Sequence, residues 1–402
     1  KRMEVSGNYV HLIVNRPQEL WYYRSSNGGM NFEPVKVLFK ATVGYIYNLQ
    51  IQAVGDQVYI SFSNYCWYCS DKNLLYLLRS TDNGGSFDNE LLVTDKNDVV
   101  LNFTSLHTER ENVFLLYQEI VGPSTNYDYA LHVLHSNDGG LNFQDDVISF
   151  PAMSGLHHSL QLQDFSGGFQ PKIASDGNRV WIIYGAWDEN NTQGIYVSRS
   201  FNGGQDFQEA VKVSGPITNF RVGLETIAAK GDRVFAVFST LDDKVYLSYS
   251  SDGGVSFDSL AEFTSSTAKH LDGGADPRVA IDPMDGRAWI ATTGTIIGKV
   301  NSNGAMSGSS LQGTLTSNTR RPRIELTADG ILHLVSEAGG EWLQSGSFSE
   351  TDIWYRRVDP NFLGISSGDQ SLRMDFIANA GDGSGVHQHD NMIIGPQLGE
   401  RF

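Results

Sequence analysis

The chain has 402 residues, 42 of them glycine, with 11% aromatic and 19% charged residues and a formal net charge of −17. A composition that is 40% hydrophobic is too apolar for disorder, and so acidic a balance lacks the basic footprint that nucleic acid requires, although a local cationic pocket for a small anion stays open. No run approaches the roughly 20 apolar residues of a membrane-spanning helix.

Abundant glycine and aromatic residues predict short strands joined by tight turns. The first apolar run is 9–14, then 20–23, then the turn Ser25-Ser26-Asn27-Gly28-Gly29-Met30-Asn31-Phe32. The order recurs. Runs 58–62 and 74–78 precede Ser80-Thr81-Asp82-Asn83-Gly84-Gly85-Ser86-Phe87, and runs 113–117 and 130–134 precede Ser136-Asn137-Asp138-Gly139-Gly140-Leu141-Asn142-Phe143. Runs 180–184 and 195–197 precede Ser200-Phe201-Asn202-Gly203-Gly204-Gln205-Asp206-Phe207, and runs 234–238 and 245–247 precede Ser250-Ser251-Asp252-Gly253-Gly254-Val255-Ser256-Phe257. The five turns begin 50 to 64 residues apart, about the length of a four-stranded blade. In each, the Asp or Asn side chain can bind backbone amides, Gly can take a positive φ, and Phe is expected to fold back and pin the hairpin.

Two further units lack the clean turn. Residues 277–281 and 287–291 open a sixth, with a degenerate Asn301-Ser302-Asn303-Gly304; residues 322–326, 331–335 and 352–356 make up a seventh. The expected fold is therefore an all-β propeller of four-stranded blades over residues 1–367, with seven blades, or six if a terminal unit is partial. Residues 368–402 form a tail whose segment 371–378 reads as one more strand, closing the ring or pairing with a neighbouring molecule.

Other features fall between the strands. Cys66-Trp67-Tyr68-Cys69 lies in a loop, where a structural disulfide is expected; free thiols, redox chemistry and half a zinc site are the alternatives, and a lone CxxC cannot supply a four-thiolate zinc site. Sequons at Asn102-Phe103-Thr104 and Asn190-Asn191-Thr192, with a chain that opens on Lys1, point to a mature secreted or cell-surface product. His387 and His389 fall on one face of an extended segment and could hold a metal. No cofactor is expected; loop acids leave calcium open, but no Asp-rich consensus loop is present.

The five turns resemble the Asp-box (BNR) repeat of sialidases and many other propellers, and the likeness covers nearly the whole chain. It implies that the turns lie between the third and fourth strands of each blade, away from the central site. Sialidases have six blades, so a count of seven departs from them. Lys172, Arg278 and Arg323, each after a proline, and Arg221 in a similar place, look like the arginine cluster that grips the sialic acid carboxylate. The resemblance makes Glu225 and Tyr355 the candidate Glu and Tyr of a tyrosine-nucleophile mechanism. The chain lacks the family's opening Phe/Tyr-Arg-Ile-Pro, having only Asn15-Arg16-Pro17, and no Asp stands out as the acid. The sequence thus favours a non-catalytic propeller that binds a glycan or a protein, or self-assembles through its tail. The alternative is a sialidase-like glycoside hydrolase.

Overall fold

The computed structural model describes residues 2–16, 18–65, 74–88, 90–94, 100–109, 111–121, 128–148, 171–187, 192–220, 226–242, 244–258, 261–263, 277–282, 286–292, 296–300, 306–307, 320–326, 332–339, 351–358 and 370–374. Among them there is no helix, and the strands form seven four-stranded sheets. The first is β1 (Arg2–Ser6), β2 (Tyr9–Asn15), β3 (Glu19–Ser25) and β4 (Lys36–Lys40); the second is β5 (Tyr45–Val54), β6 (Gln57–Tyr65), β7 (Leu74–Ser80) and β8 (Leu91–Thr94). The third is β9 (Val100–Glu109), β10 (Asn112–Val121), β11 (Asp128–Ser136) and β12 (Gln144–Ile148). The fourth is β13 (Lys172–Asp176), β14 (Arg179–Trp187), β15 (Gln193–Ser200) and β16 (Val211–Lys212). The fifth is β17 (Thr226–Lys230), β18 (Arg233–Ser239), β19 (Val245–Ser250) and β20 (Ala261–Phe263). The sixth is β21 (Arg278–Ile281), β22 (Ala288–Thr292), β23 (Ile296–Val300) and β24 (Met306–Ser307). The seventh is β25 (Arg320–Leu326), β26 (Leu332–Gly339), β27 (Thr351–Val358) and β28 (Gln370–Met374). Every sheet runs antiparallel in chain order, so each is a meander. The strand of the tail, β28, is the fourth strand of its own sheet, paired along β27.

The chain divides into two compact units, Lys1–Asp242 with Tyr246–Glu262, and Asp243–Val245 with Phe263–Phe402. Within the first, consecutive sheets pack face to face, and the second strand of each explains why. Val58, Ile60 and Phe62 of β6 pack with Leu20, Tyr22 and Ile13 of the first sheet. Tyr59, on the opposite face, packs with Val113 and Leu115 of the third. Phe114 and Leu116 then meet Val180 and Ile182, while Trp181 and Ile183 meet Val234, Ala236 and Phe238. Successive side chains point to opposite faces, and both faces are covered, so these strands read as unbroken apolar runs. In the second unit, Ala280, Trp289 and Ala291 pack with Ile324 and Leu332.

The five repeated turns share one hydrogen-bond pattern. In the second sheet, Ser80 Oγ donates to Asp82 Oδ1 at 2.7 Å and accepts from the Gly84 amide at 2.9 Å, and Asp82 Oδ1 accepts from the Ser86 amide at 2.8 Å. Those bonds hold the Asp82 and Asp138 carboxyls below the usual carboxylate range, led by Ser86 for Asp82 and by Asn142 for Asp138. Each turn also caps the hairpin between its sheet's first two strands, as where the Asn83 amide donates to Asp56 O at 2.7 Å.

The turns do more than close hairpins, because in three of them the arginine before the opening serine reaches the next sheet. Arg24 donates to Asn83 O at 3.2 Å, Arg79 to Gly139 O at 3.3 Å, and Arg199 to Gly254 O at 2.8 Å. Arg24 and Arg79 are held by Glu33 and Asp88 of their own sheets at 2.8 and 3.0 Å. The turn phenylalanines follow the same logic. Expected to pin their own hairpins, Phe87, Phe143, Phe207 and Phe257 are half-buried against the core shared with the preceding sheet; Phe87 meets Tyr22 edge-on at 5.0 Å.

Tyr22 and His11 Nδ1 share a buried 2.7 Å hydrogen bond. Burial, with the nearby Arg24 charge, pushes the His11 imidazole down to about 3, and burial pushes His107 down to about 4. A native pKa below the unfolded value means the unfolded chain binds more protons across that window. The histidine contribution is therefore complete above about pH 6.5 and is lost as pH falls toward 3. Urea midpoints at pH 7, 5.5 and 4 are expected to fall in that order, with a shallower fall in His11→Gln. A flat profile would contradict the neutral, buried imidazole.

Candidate functional site

The strand register defines equivalent positions along the first strands. Counted from Val10, Val58, Val113, Val180, Val234, Ala288 and Leu332, the fourth residue along each second strand faces one first-strand residue. The pairs are Arg2 with Ile13, Gln50 with Ser61, Ser105 with Leu116, Lys172 with Ile183 and Thr226 with Val237 in the first unit. In the second unit they are Arg278 with Ala291 and Arg323 with Val335. The sequence expectation that Lys172, Arg278 and Arg323 occupy like positions therefore agrees with the register. For the fifth sheet the register puts Thr226 in this place; Arg221, the residue expected there, lies outside the described residues.

Arg2 belongs to the same row and was not found from the sequence. Its strand, Arg2-Met3-Glu4-Val5-Ser6, alternates polar with apolar and contains no apolar run. The signal available was the spacing to the run that follows: the first-strand residue lies eight positions before Val10, as Gln50 lies eight before Val58 and Lys172 eight before Val180.

Polar bonds join neighbouring first strands in successive layers of the first unit. Arg2 Nε donates to Gln50 Oε1 at 3.4 Å, Gln52 to Glu4 at 3.0 Å, and Ser6 Oγ to Gly55 O at 2.8 Å. Farther along, the Gly177 amide donates to the Glu109 carboxylate, and Lys230 pairs with Asp176 at 2.8 Å. This last layer borders a cavity of about 420 Å³ lined by Glu109, Asn112, Asp176, Asn178, Arg179 and Lys230. Its charges are engaged, since Arg179 pairs with Asp232 at 2.6 Å and Lys230 with Asp176, so it reads as part of the ladder.

In the second unit, β21 and β25 lie side by side; Arg278 opens the paired stretch of β21, and Arg323 follows the register irregularity after Arg320 in β25. Arg278 and Arg323 are both half-buried, and Arg278 donates to Pro277 O at 2.6 Å. Glu325 shares the face of Arg323, two residues on. Burial raises its carboxyl to about 8, against the pull of Arg323. Tyr355 lies on β27 and pairs with Val335, the residue that also pairs with Arg323. The backbones of Arg323 and Tyr355 thus share one row, two strand spacings apart, or about 10 Å.

Glu225, Cys66, Cys69, His387 and His389 lie outside the described residues. Among the described residues there is no group of three or more His, Cys, Asp or Glu side chains placed to hold a metal, and no helix is long and apolar enough to cross a membrane.

No family model matches the chain, and no curated protein matches it. Solved structures do. The NanB sialidase of Streptococcus pneumoniae superposes with a TM-score of 0.57 at 11% identity, over 82% of this chain and 71% of that one. A puromycin-hydrolyzing peptidase of Mycobacterium tuberculosis gives 0.52 at 11%, over 94% of this chain and 54% of that one. A protein of unknown function from Dyadobacter fermentans gives 0.51 at 12%, over 75% and 92%. At these identities the likeness establishes the fold, an all-β propeller of four-stranded blades. A sialidase and a peptidase among the neighbours show how little such a fold says about activity.

Proposed function

We propose that this chain is a secreted or cell-surface Asp-box propeller that binds a carboxylate-bearing glycan and does not cleave it. The observation that carries this reading is the pair Arg278 and Arg323, at register-equivalent positions on neighbouring first strands. A guanidinium presents paired donors that fit a carboxylate, and two half-buried ones are poorly screened by water. Lys172 and Arg2 supply cations in the same register row of the first unit. The serine-anchored turns support the Asp-box assignment, the two sequons support secretion, and the want of a recognisable acid Asp supports binding without turnover.

One observation favours hydrolysis as the second reading: Tyr355 shares a backbone row with Arg323 in a fold like that of a sialidase. A glycan array and a fluorogenic sialoside separate the two. The expected result is retention on sialylated glycans, loss on their desialylated forms, and no release of fluorophore. Release that disappears in Tyr355→Phe would establish the hydrolase and overturn the binding-only reading.

A further inference from the structure

The first strand of the second sheet carries a feature that the arginine row does not explain. In β5 the register slips: Tyr47 faces Ser63, and Gln50 faces Ser61. One extra residue is accommodated by a bulge, with Asn48 at a φ of 52° and its side-chain amide donating to Ser63 Oγ at 3.1 Å. The extra residue sets which side chains share a face. Tyr45, Tyr47, Gln50 and Gln52 project together, while Ile46, Leu49 and Ile51 are buried at 1, 5 and 4% exposure. Without the bulge, Gln50 would fall on the face opposite Tyr47.

The two tyrosines are 48 and 42% exposed, with ring centroids 6.3 Å apart and planes at 67°. Val43, two residues earlier, is 56% exposed. The backbone beneath the rings is fixed, because Asn15 Nδ2 donates to Ile46 O at 3.2 Å and the Ile46 side chain is locked in the core. Beyond the rings the same face continues into the Gln50 amide, which accepts from Arg2 Nε.

We propose that Tyr45 and Tyr47 form a carbohydrate-binding platform, on which a neutral sugar ring stacks while Gln50 and Arg2 engage its hydroxyls. A sugar ring presents a C–H face that suits an aromatic ring and a hydroxyl rim that needs donors and acceptors. The bulge puts both kinds of group on one face. Tyrosine gives rigid contact area at low entropic cost, and its hydroxyl serves the wet edge. Two rings and one valine are far too small for the roughly 800 Å² per partner that a stable protein interface buries. The proposal uses residues separate from the arginine pair and does not depend on it.

The test is titration of the intact protein with neutral maltohexaose, cellohexaose and chitohexaose, followed by tyrosine fluorescence and saturation-transfer NMR. At least one is expected to bind with Kd below 10 mM. Tyr45→Ala and Tyr47→Ala should each weaken it at least tenfold without shifting the urea midpoint, since both rings are exposed. Arg278→Ala should leave it unchanged, so a failed carboxylate reading and a failed platform give different results. Three outcomes would overturn the platform: no binding of any of the three sugars, wild-type affinity retained in both tyrosine variants, or self-association of the wild type that the tyrosine variants lose, which would make a second copy the occupant.

Discussion

Gly84→Ala will destabilise this protein by about 3–5 kcal/mol, far more than a turn glycine usually contributes. Two costs combine. Gly84 has a φ of 75°, which an L side chain adopts at a cost of about 1 kcal/mol. A Cβ there would also lie 1.8 Å from the Tyr22 hydroxyl oxygen and 2.8 Å from its ring carbon. Tyr22 cannot retreat easily, because it is 1% exposed, bonded to His11 and packed on Phe87. Gly7 supplies the control: its φ is 57°, but nothing lies within 4 Å of a Cβ built there. Gly7→Ala should therefore cost only about 1 kcal/mol, the backbone part alone. Tyr22→Phe should recover much of the Gly84→Ala loss, because it removes the clashing oxygen. Urea unfolding of the four proteins checks this, and equal losses in Gly84→Ala and Gly7→Ala would contradict the packing of the turn under the preceding sheet.

That packing shows where sequence reading stops. The spacing of Ser80, Asp82 and Gly84 reveals a turn, since each residue's role is local and fixed by its chemistry. The unbroken runs of the second strands reveal themselves because both faces are covered. The contact of Gly84 with Tyr22 joins residues of different sheets, and nothing in the spacing of either announces it. The bond from Arg79 to Gly139 O is hidden for the same reason. The first strands are hardest to read. One face of β1 carries Arg2, Glu4 and Ser6 in polar contact with the second sheet, so the strand resembles a loop in composition. The prolines before Lys172, Arg278 and Arg323 marked that position in three sheets; without such a marker, Arg2 was missed. The bulge at Asn48 is only faintly marked in the sequence, since asparagine tolerates a positive φ but no glycine stands at or beside the position.

The second large effect belongs to the arginine pair. Arg278→Ala and Arg323→Ala are each expected to weaken binding of 3′-sialyllactose by about 10- to 100-fold, the loss of one charge-assisted interaction of about 1.5–3 kcal/mol. Lysine at either position should restore only part of the affinity, because an ammonium keeps the charge and loses the paired donors. Wild-type affinity should fall as salt is raised, and the slope should be shallower in each variant. Calorimetric titration at two salt concentrations reads all of this. Unchanged affinity in both alanine variants would remove the pair from the site.

The most direct measurement is calorimetric titration of the wild-type protein with 3′-sialyllactose, with its carboxyl methyl ester and with lactose. The ester keeps the shape and hydroxyls of the sugar and removes the one charge that the arginines would hold. The account predicts that the acid binds, that the ester binds at least tenfold more weakly, and that lactose lacks the high-affinity component. Equal affinity for acid and ester, or no binding of the acid, would contradict it.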